Sequence, residues 1–246
     1  MVAADDVWLS DKIACQVEIM ESQPDQVGVL YSDAFQMDED GHPLEEMFIA
    51  AHRTLPEMPQ GSVLNTLLEG NFIPGMTTLI RRSCYDVVGP YDELLPWEDW
   101  DMWLRLARRY SFVYSPSPSA KYRRHDKSLS HSNPACMLKG SFNICLKQLA
   151  LGRLDEGQKS TLVRMLLNLS EELYRINDAE SSDILLALWQ ATGNKSAGWM
   201  YRFITLGFSF RNWQRAKSCR GRLVAFRNKF LHSLTVNNRS RFHDET

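Results

Sequence analysis

The sequence predicts an α/β fold, a mixed sheet with flanking helices followed by an all-α C-terminal extension, and three observations carry that prediction. A run of β-prone apolar residues, VGVLYSDAF (27–35), lies between Pro24 and the polar turn MDEDGHP, as a buried strand does. The segments on either side of it place apolar residues at helical spacing. After the turn-rich SLSHSNP (128–134), strand-like runs cease and helical periodicity alone continues.

Element by element, DDVWLSDKIACQVEIMESQP (5–24) has Val7, Trp8, Ile13, Val17 and Met20 near helical spacing, and Pro24 stops it. The strand 27–35 follows. A helix near 62–69, a short strand at TTLIRR (77–82) and a short helix ending on Gly89, a natural C-cap, come next. A helix over 98–110 buries Trp100, Trp103, Leu104 and Ala107 as one stripe. Short strands near FVYS and AKYRR close the mixed part. Beyond it, LNLSEELYRI and SSDILLALW read as members of a set of three to five helices. The chain therefore divides into 1–134, α/β, and 135–246, helical.

The chemistry of the first part is concentrated in LLPWEDWDMWLRLARRY (94–110), where Glu98, Asp99 and Asp101 stand among Trp97, Trp100 and Trp103. A carboxylate beside indole rings loses hydration and holds its proton more tightly unless a cation or donor stabilises the charge. All three acids also lie where a helix dipole favours negative charge, and Asp101 has Arg105 four residues on, a pair worth a few tenths of a kcal/mol. Those features are sufficient for a helix start without any catalysis. Asp5 and Asp6 are paired carboxylates suited either to a divalent metal at a strand end or to N-capping. His125 lies in a polar loop after a strand, a ligand or a solvated side chain.

Composition narrows the classes. The 246 residues are 44% hydrophobic, enough for a sizeable core. Five cysteines, without C-x-x-C spacing, give neither a disulfide framework nor a zinc site and point to a reducing compartment. MVAADDVWLS has no signal-peptide character, and no apolar run is long enough to span a bilayer. The expected location is cytoplasmic, peripheral at the inner face of a membrane. Net charge is −2, yet residues 1–183 hold 17 basic and 28 acidic side chains, while 184–243 hold 11 basic and no acidic ones.

Taken in order, four stretches resemble family 2 glycosyltransferases. VAADDVWLSDKIACQVEIMES is similar to the family's metal-binding segment, and VGVLYSDAFQMDEDG to the strand after it. GNFIPGMTTLIRRSCYDVVGPYDELLPWEDWDMWLRLARRY resembles the acceptor side, with its Glu-Asp-Trp-Asp-x-Trp-x-Arg element, and YRRHDKSLS the closing segment. The likeness covers about residues 3–131. It implies a partial GT-A-like sheet and an inverting transfer of sugar from a nucleotide-sugar donor to a glycan or lipid-linked acceptor, in polysaccharide biosynthesis.

By that resemblance Asp5 and Asp6 bind the donor diphosphate through Mg²⁺ or Mn²⁺, and His125 lies beside the diphosphate and metal. Asp99 matches the general base, and Trp97 and Glu98 shape the acceptor pocket. Two departures accompany it. The βαβ half that holds the nucleotide in such enzymes is not represented here, and Ala3 stands where the first acid of Asp-x-Asp would fall. The expectation is a C-terminal portion that binds nucleotide-sugar weakly by itself, or a nucleotide site completed by a second chain. A non-catalytic sugar-binding or interaction module derived from such an enzyme is the alternative.

The segment 198–234 interleaves aromatics with Arg and Lys, and Cys219, Leu223, Phe226, Phe230 and Leu234 follow helical spacing. A basic amphipathic helix suits an anionic membrane surface, or packing on the acidic first part. No recognised nucleic-acid motif is present.

Overall fold

A computed structural model describes residues 4–125, 133–207, 209, 210, 213 and 214. Ala3 and the expected helix 219–234 lie outside the described residues.

The core of the first part is a four-stranded mixed sheet. Its strands are β1 (Val7–Trp8), β2 (Val27–Met37), β3 (Leu79–Ile80) and β4 (Ser111–Arg123), in spatial order β1-β4-β2-β3. β2 and β4 are parallel, and the two short outer strands are antiparallel to their neighbours. Every residue of β2 except Phe35 is buried, the polar Ser32, Asp33 and Gln36 included, and the apolar run Val29–Tyr31 lies within it.

Several boundaries differ from the sequence reading. The stretch 5–24 does not form one helix: Val7 and Trp8 pair with Lys121 and Ala120, and helix α1 (Lys12–Glu21) begins only afterwards. Pairing with β4 outweighs local periodicity there. FVYS and AKYRR are two parts of β4, not separate strands. Ser32 pairs with Ser115 and Ala34 with Ala120, so PSPS (116–119) bulges out of the ladder, where Pro116 and Pro118 have no N–H to offer. Only Leu79–Ile80 of TTLIRR is strand, because Gly75–Thr77 is a 3₁₀ turn.

The remaining helices of this part are α2 (Phe48–His52), α3 (Leu64–Leu68), α4 (Arg82–Val88) and α5 (Glu98–Ala107). Gly89 caps α4 at φ +80°, as the sequence predicts. Trp100, Trp103, Leu104 and Ala107 of α5 are all buried, also as predicted. The helices-only segment begins with α6 (Pro134–Ala150), followed by α7 (Glu156–Arg175), α8 (Ser181–Thr192) and α9 (Lys195–Thr205).

Compactness follows a different line from composition. One compact unit is Met1–Leu169, the other Ser170–Thr246. In the first, α6 is fastened to the mixed part by side chains: Arg108 donates to Gln148 Oε1 at 2.9 Å and to the Gly152 carbonyl at 2.9 Å. Gly140 of α6 faces Pro96 so closely that a Cβ there would overlap the Pro96 ring. In the second unit α8 and α9 pack together, with Leu185, Leu188, Ala197 and Met200 fully buried. Cys15, Cys84, Cys136 and Cys145 are free thiols. No helix among the described residues is long and apolar enough to cross a membrane.

Candidate active site

The carboxyl ends of the parallel strands β2 and β4 lie side by side, with Met37 paired to Arg123. In α/β sheets ligands bind outside such ends. Because β1 is antiparallel to β4, its start falls at the same end, and that brings Asp5 and Asp6 there. The pair thus precedes a strand; neither acid caps a helix, since α1 starts at Lys12 behind Asp11.

Arg123 organises this end of the sheet. Its backbone N–H donates to Asp6 Oδ1 at 3.0 Å, and its Nε to the Asp5 carbonyl at 3.1 Å. Its Nη1 donates to the carbonyls of Asp38 at 3.2 Å and Glu39 at 2.8 Å, in the turn that follows β2. Two residues on, His125 Nε2 lies 2.7 Å from Asp5 Oδ2. Asp5 and His125 are 120 residues apart in sequence and in direct contact in the fold.

The two acids differ electrostatically. The hydrogen bond from His125 holds the Asp5 carboxyl below its usual range. Burial pushes Asp6 up to about 6, and the neighbouring Asp5 charge pushes the same way. Among the described residues the group of three whose ligand atoms all lie within 4.8 Å of one another is Asp38, Asp40 and His42, on the turn after β2; of the predicted trio, Asp5 and His125 are in contact, but Asp6 does not complete so close a cluster with them. Such an exposed acidic turn is common without an ion. Sequence reasoning passed over it as a polar turn, and Arg123 as part of a motif.

Asp99, in the first turn of α5, meets another loop. Its Oδ2 accepts a hydrogen bond from Asn71 Nδ2 at 3.2 Å, and its Oδ1 one from the Trp100 N–H at 2.6 Å. Gly75 lies against the same carboxyl: a Cβ there would sit 3.4 Å from Asp99 Oδ2, in ordinary contact. Desolvation raises the Asp99 carboxyl to about 6, with the Glu98 charge adding to the rise. Trp97 and Glu98 are both partly exposed at the start of α5.

The turn that carries Gly75 also links the two clusters. Trp8 Nε1 donates to the Met76 carbonyl at 2.9 Å, and Met76 packs on Ala34 of β2 and Ala120 of β4. Beneath, the buried Lys12 Nζ donates to Gln16 Oε1 and to the carbonyls of Thr77 at 3.1 Å and Thr78 at 3.3 Å. Gln16 Nε2 donates to Thr77 O as well, at 2.7 Å. Lys12 and Gln16, four residues apart on one helix face, thus clamp the turn, a role with no signal in the sequence.

Asp101 has a different setting. It is 0% exposed, with Arg105 Nε at 2.8 Å and Lys147 Nζ at 2.9 Å from its two oxygens. Arg105 also donates to the carbonyls of Val88 and Pro90. The Arg105 pairing is as the sequence expects, but its burial makes a contribution of a few tenths of a kcal/mol too small.

Comparison with known proteins assigns the chain to a family. The model described as Glycosyltransferase like family 2 matches residues 1–150. The match spans more than half of the 246 residues, and the chain belongs to that family. Two curated relatives, uncharacterized glycosyltransferases of Rickettsia conorii and Rickettsia felis, are each 28% identical over 137 residues. The alignment takes in 54% of this chain and 22% of each relative, so it spans about a fifth of the relatives' length.

Proposed function

We propose that the chain contributes the diphosphate-side and acceptor-side residues of an inverting glycosyltransferase, acting on a nucleotide-sugar donor and a glycan or lipid-linked acceptor in polysaccharide biosynthesis. The observation that carries this reading is the pairing of Asp5 with His125 at the carboxyl ends of β2 and β4.

Asp99 is the proton acceptor. The acceptor hydroxyl oxygen forms a bond to the anomeric carbon while the bond from that carbon to the donor diphosphate breaks. The leaving diphosphate keeps the electron pair, and the hydroxyl proton passes to Asp99. A carboxylate near 6 is ionised at neutral pH and more basic than a solvated one, which suits that task. Trp97 offers a sugar face an indole surface, and Glu98 offers hydroxyl groups an acceptor.

Asp5, Asp6 and His125 would hold the divalent cation, Mg²⁺ or Mn²⁺. The two carboxylates supply the hard oxygen donors such ions take, the imidazole being the softer member of the set, and a cation beside Asp6 offsets the desolvation that raises its proton affinity. When bound, the ion neutralises charge on the departing diphosphate. Arg123, through Asp5 and the turn after β2, keeps these ligands at the sheet end.

The partner reading extends to an anionic membrane surface. On α9, Trp199 is 45% exposed and Leu206, just past the helix end, 72%, while Arg202 lies 5.7 Å from the Trp189 ring and 5.6 Å from that of Trp199. Aromatic and cationic groups together suit a headgroup layer.

Release of nucleoside diphosphate from UDP- and GDP-sugars, with Mn²⁺ and a pool of acceptor glycans, tests the catalytic reading. Asp99→Asn should lower turnover by about 10²–10⁴-fold, the scale of a lost general base. Release that is insensitive to Asp99→Asn and to Asp5→Asn would leave a non-catalytic sugar-binding module as the better account.

A further inference from the structure

Asp99 is held by neutral donors, and one of them is itself held. Asn71 Oδ1 accepts the Ile73 N–H at 3.1 Å, which fixes the oxygen end of the amide. The NH₂ end therefore faces Asp99 Oδ2, at 3.2 Å. The remaining oxygen of Asp99 takes the Trp100 N–H.

We infer that Asn71 is a positioning residue for the transfer, a locked amide that orients the Asp99 carboxylate and sets its basicity without a countercharge. The inference rests on Asp99 being the proton acceptor. A guanidinium or ammonium at this place would hold the carboxylate ionised but too weakly basic. An apolar side chain would leave one oxygen undonated and raise its proton affinity above the working range. A single neutral donor lies between those extremes. It also directs one lone pair of Oδ2 toward the amide, so the carboxylate cannot rotate freely about its Cβ–Cγ bond.

The charged and titratable groups around Asp99 are few. Glu98 adjoins it on α5, and its charge raises the Asp99 carboxyl. The Tyr91 phenol feels both acids from the loop before α5, and burial holds it neutral. The stretch 70–76, which carries Asn71 and Gly75, contains no ionisable side chain. Asn71 is thus the group through which basicity can be altered with least disturbance of other charges.

The decisive variant is Asn71→Asp. It keeps an oxygen for the Ile73 N–H, so the turn is preserved, and replaces the donor with an oxygen that repels the carboxylate. Asn71→Ala removes the donor without adding charge. Carbon-13 carboxyl titration of the 246-residue chain, with the Asp99 signal assigned by its loss in Asp99→Asn, reads the effect without turnover. The Asp99 midpoint should rise in both variants, by roughly 1–2 units in Asn71→Asp and by less in Asn71→Ala. The acidic limb of nucleoside diphosphate release from UDP- and GDP-sugars should move upward in the same order, with about 10–100-fold less release from Asn71→Asp at pH 6 and recovery toward pH 9. A merely structural role would lower activity at all pH values alike. An Asp99 midpoint unchanged in both variants overturns the inference. Midpoints that rise while the release profile stays where it was overturn the general-base assignment, and Asn71's part in the reaction with it.

Discussion

Asp99 and Asp101 stand two residues apart on one helix and face opposite kinds of surroundings. Asp101 points into the protein between two cations, Arg105 and Lys147, and is wholly buried. Asp99 points toward the Asn71–Gly75 loop and receives only neutral hydrogen bonds. A carboxylate neutralised by cations is a structural element; one desolvated without them keeps a proton affinity near neutrality and is free for chemistry. The same contrast recurs at the sheet end, where His125 lowers Asp5 and burial raises Asp6.

The largest expected effect separates the two acids of α5. Asp101→Asn should reduce unfolding free energy by on the order of 3 kcal/mol, because it leaves two cations facing a buried amide. Urea denaturation measures that loss, and a midpoint within error of the parent protein would mean that Arg105 and Lys147 are satisfied without the charge.

Asp99→Asn should act in the reverse direction on stability. The folded carboxyl sits near 6 against 3.8 for a free one, so the native state binds more protons between those values. The favourable contribution of neutral Asp99 is present below 3.8 and lost as pH rises through 6. Above pH 6 the amide removes that penalty, a gain of about 1–3 kcal/mol. Thermal melts at pH 4 and pH 8 check this: the gain should appear at pH 8 and vanish at pH 4. For activity, the same carboxyl gives an acidic limb, with kcat/KM falling below about pH 6.

A smaller effect is expected where Gly140 meets Pro96. Gly140→Ala must displace α6 or the loop before α5, at a cost of about 1–3 kcal/mol by overpacking, and calorimetric melting measures it. The smallest belongs to Arg82 and Asp86, an Arg and an Asp at the same i,i+4 spacing as Asp101 and Arg105 but exposed on α4. Asp86→Asn should change stability by less than about 0.5 kcal/mol. A loss there comparable to that of Asp101→Asn would show that burial is not what distinguishes the two pairs.

Much of this architecture was legible along the chain. The buried strand β2, the tryptophan stripe of α5 and the Gly89 cap follow from runs, periodicity and a single residue's conformational freedom, all of which are local properties. The pairing of Asp101 with Arg105 follows from helical geometry. Less legible was β1, because a two-residue strand has no periodicity and exists only by pairing with β4. Likewise, PSPS splits the pairing of β4 without ending the strand.

By itself, the sequence determined which residue types stand at which spacing, and hence an α/β part followed by helices, an acidic helix start walled by indoles, and membership of a family with matching motifs. Only the tertiary structure decided how each carboxylate behaves. Asp5 reaches His125 across 120 residues, Asp99 reaches Asn71 across 28, and Asp101 gains Lys147 from α6. The reason is physical: charge and proton affinity depend on desolvation and on partners brought in from distant segments, and neither is encoded in the spacing of neighbours along the chain.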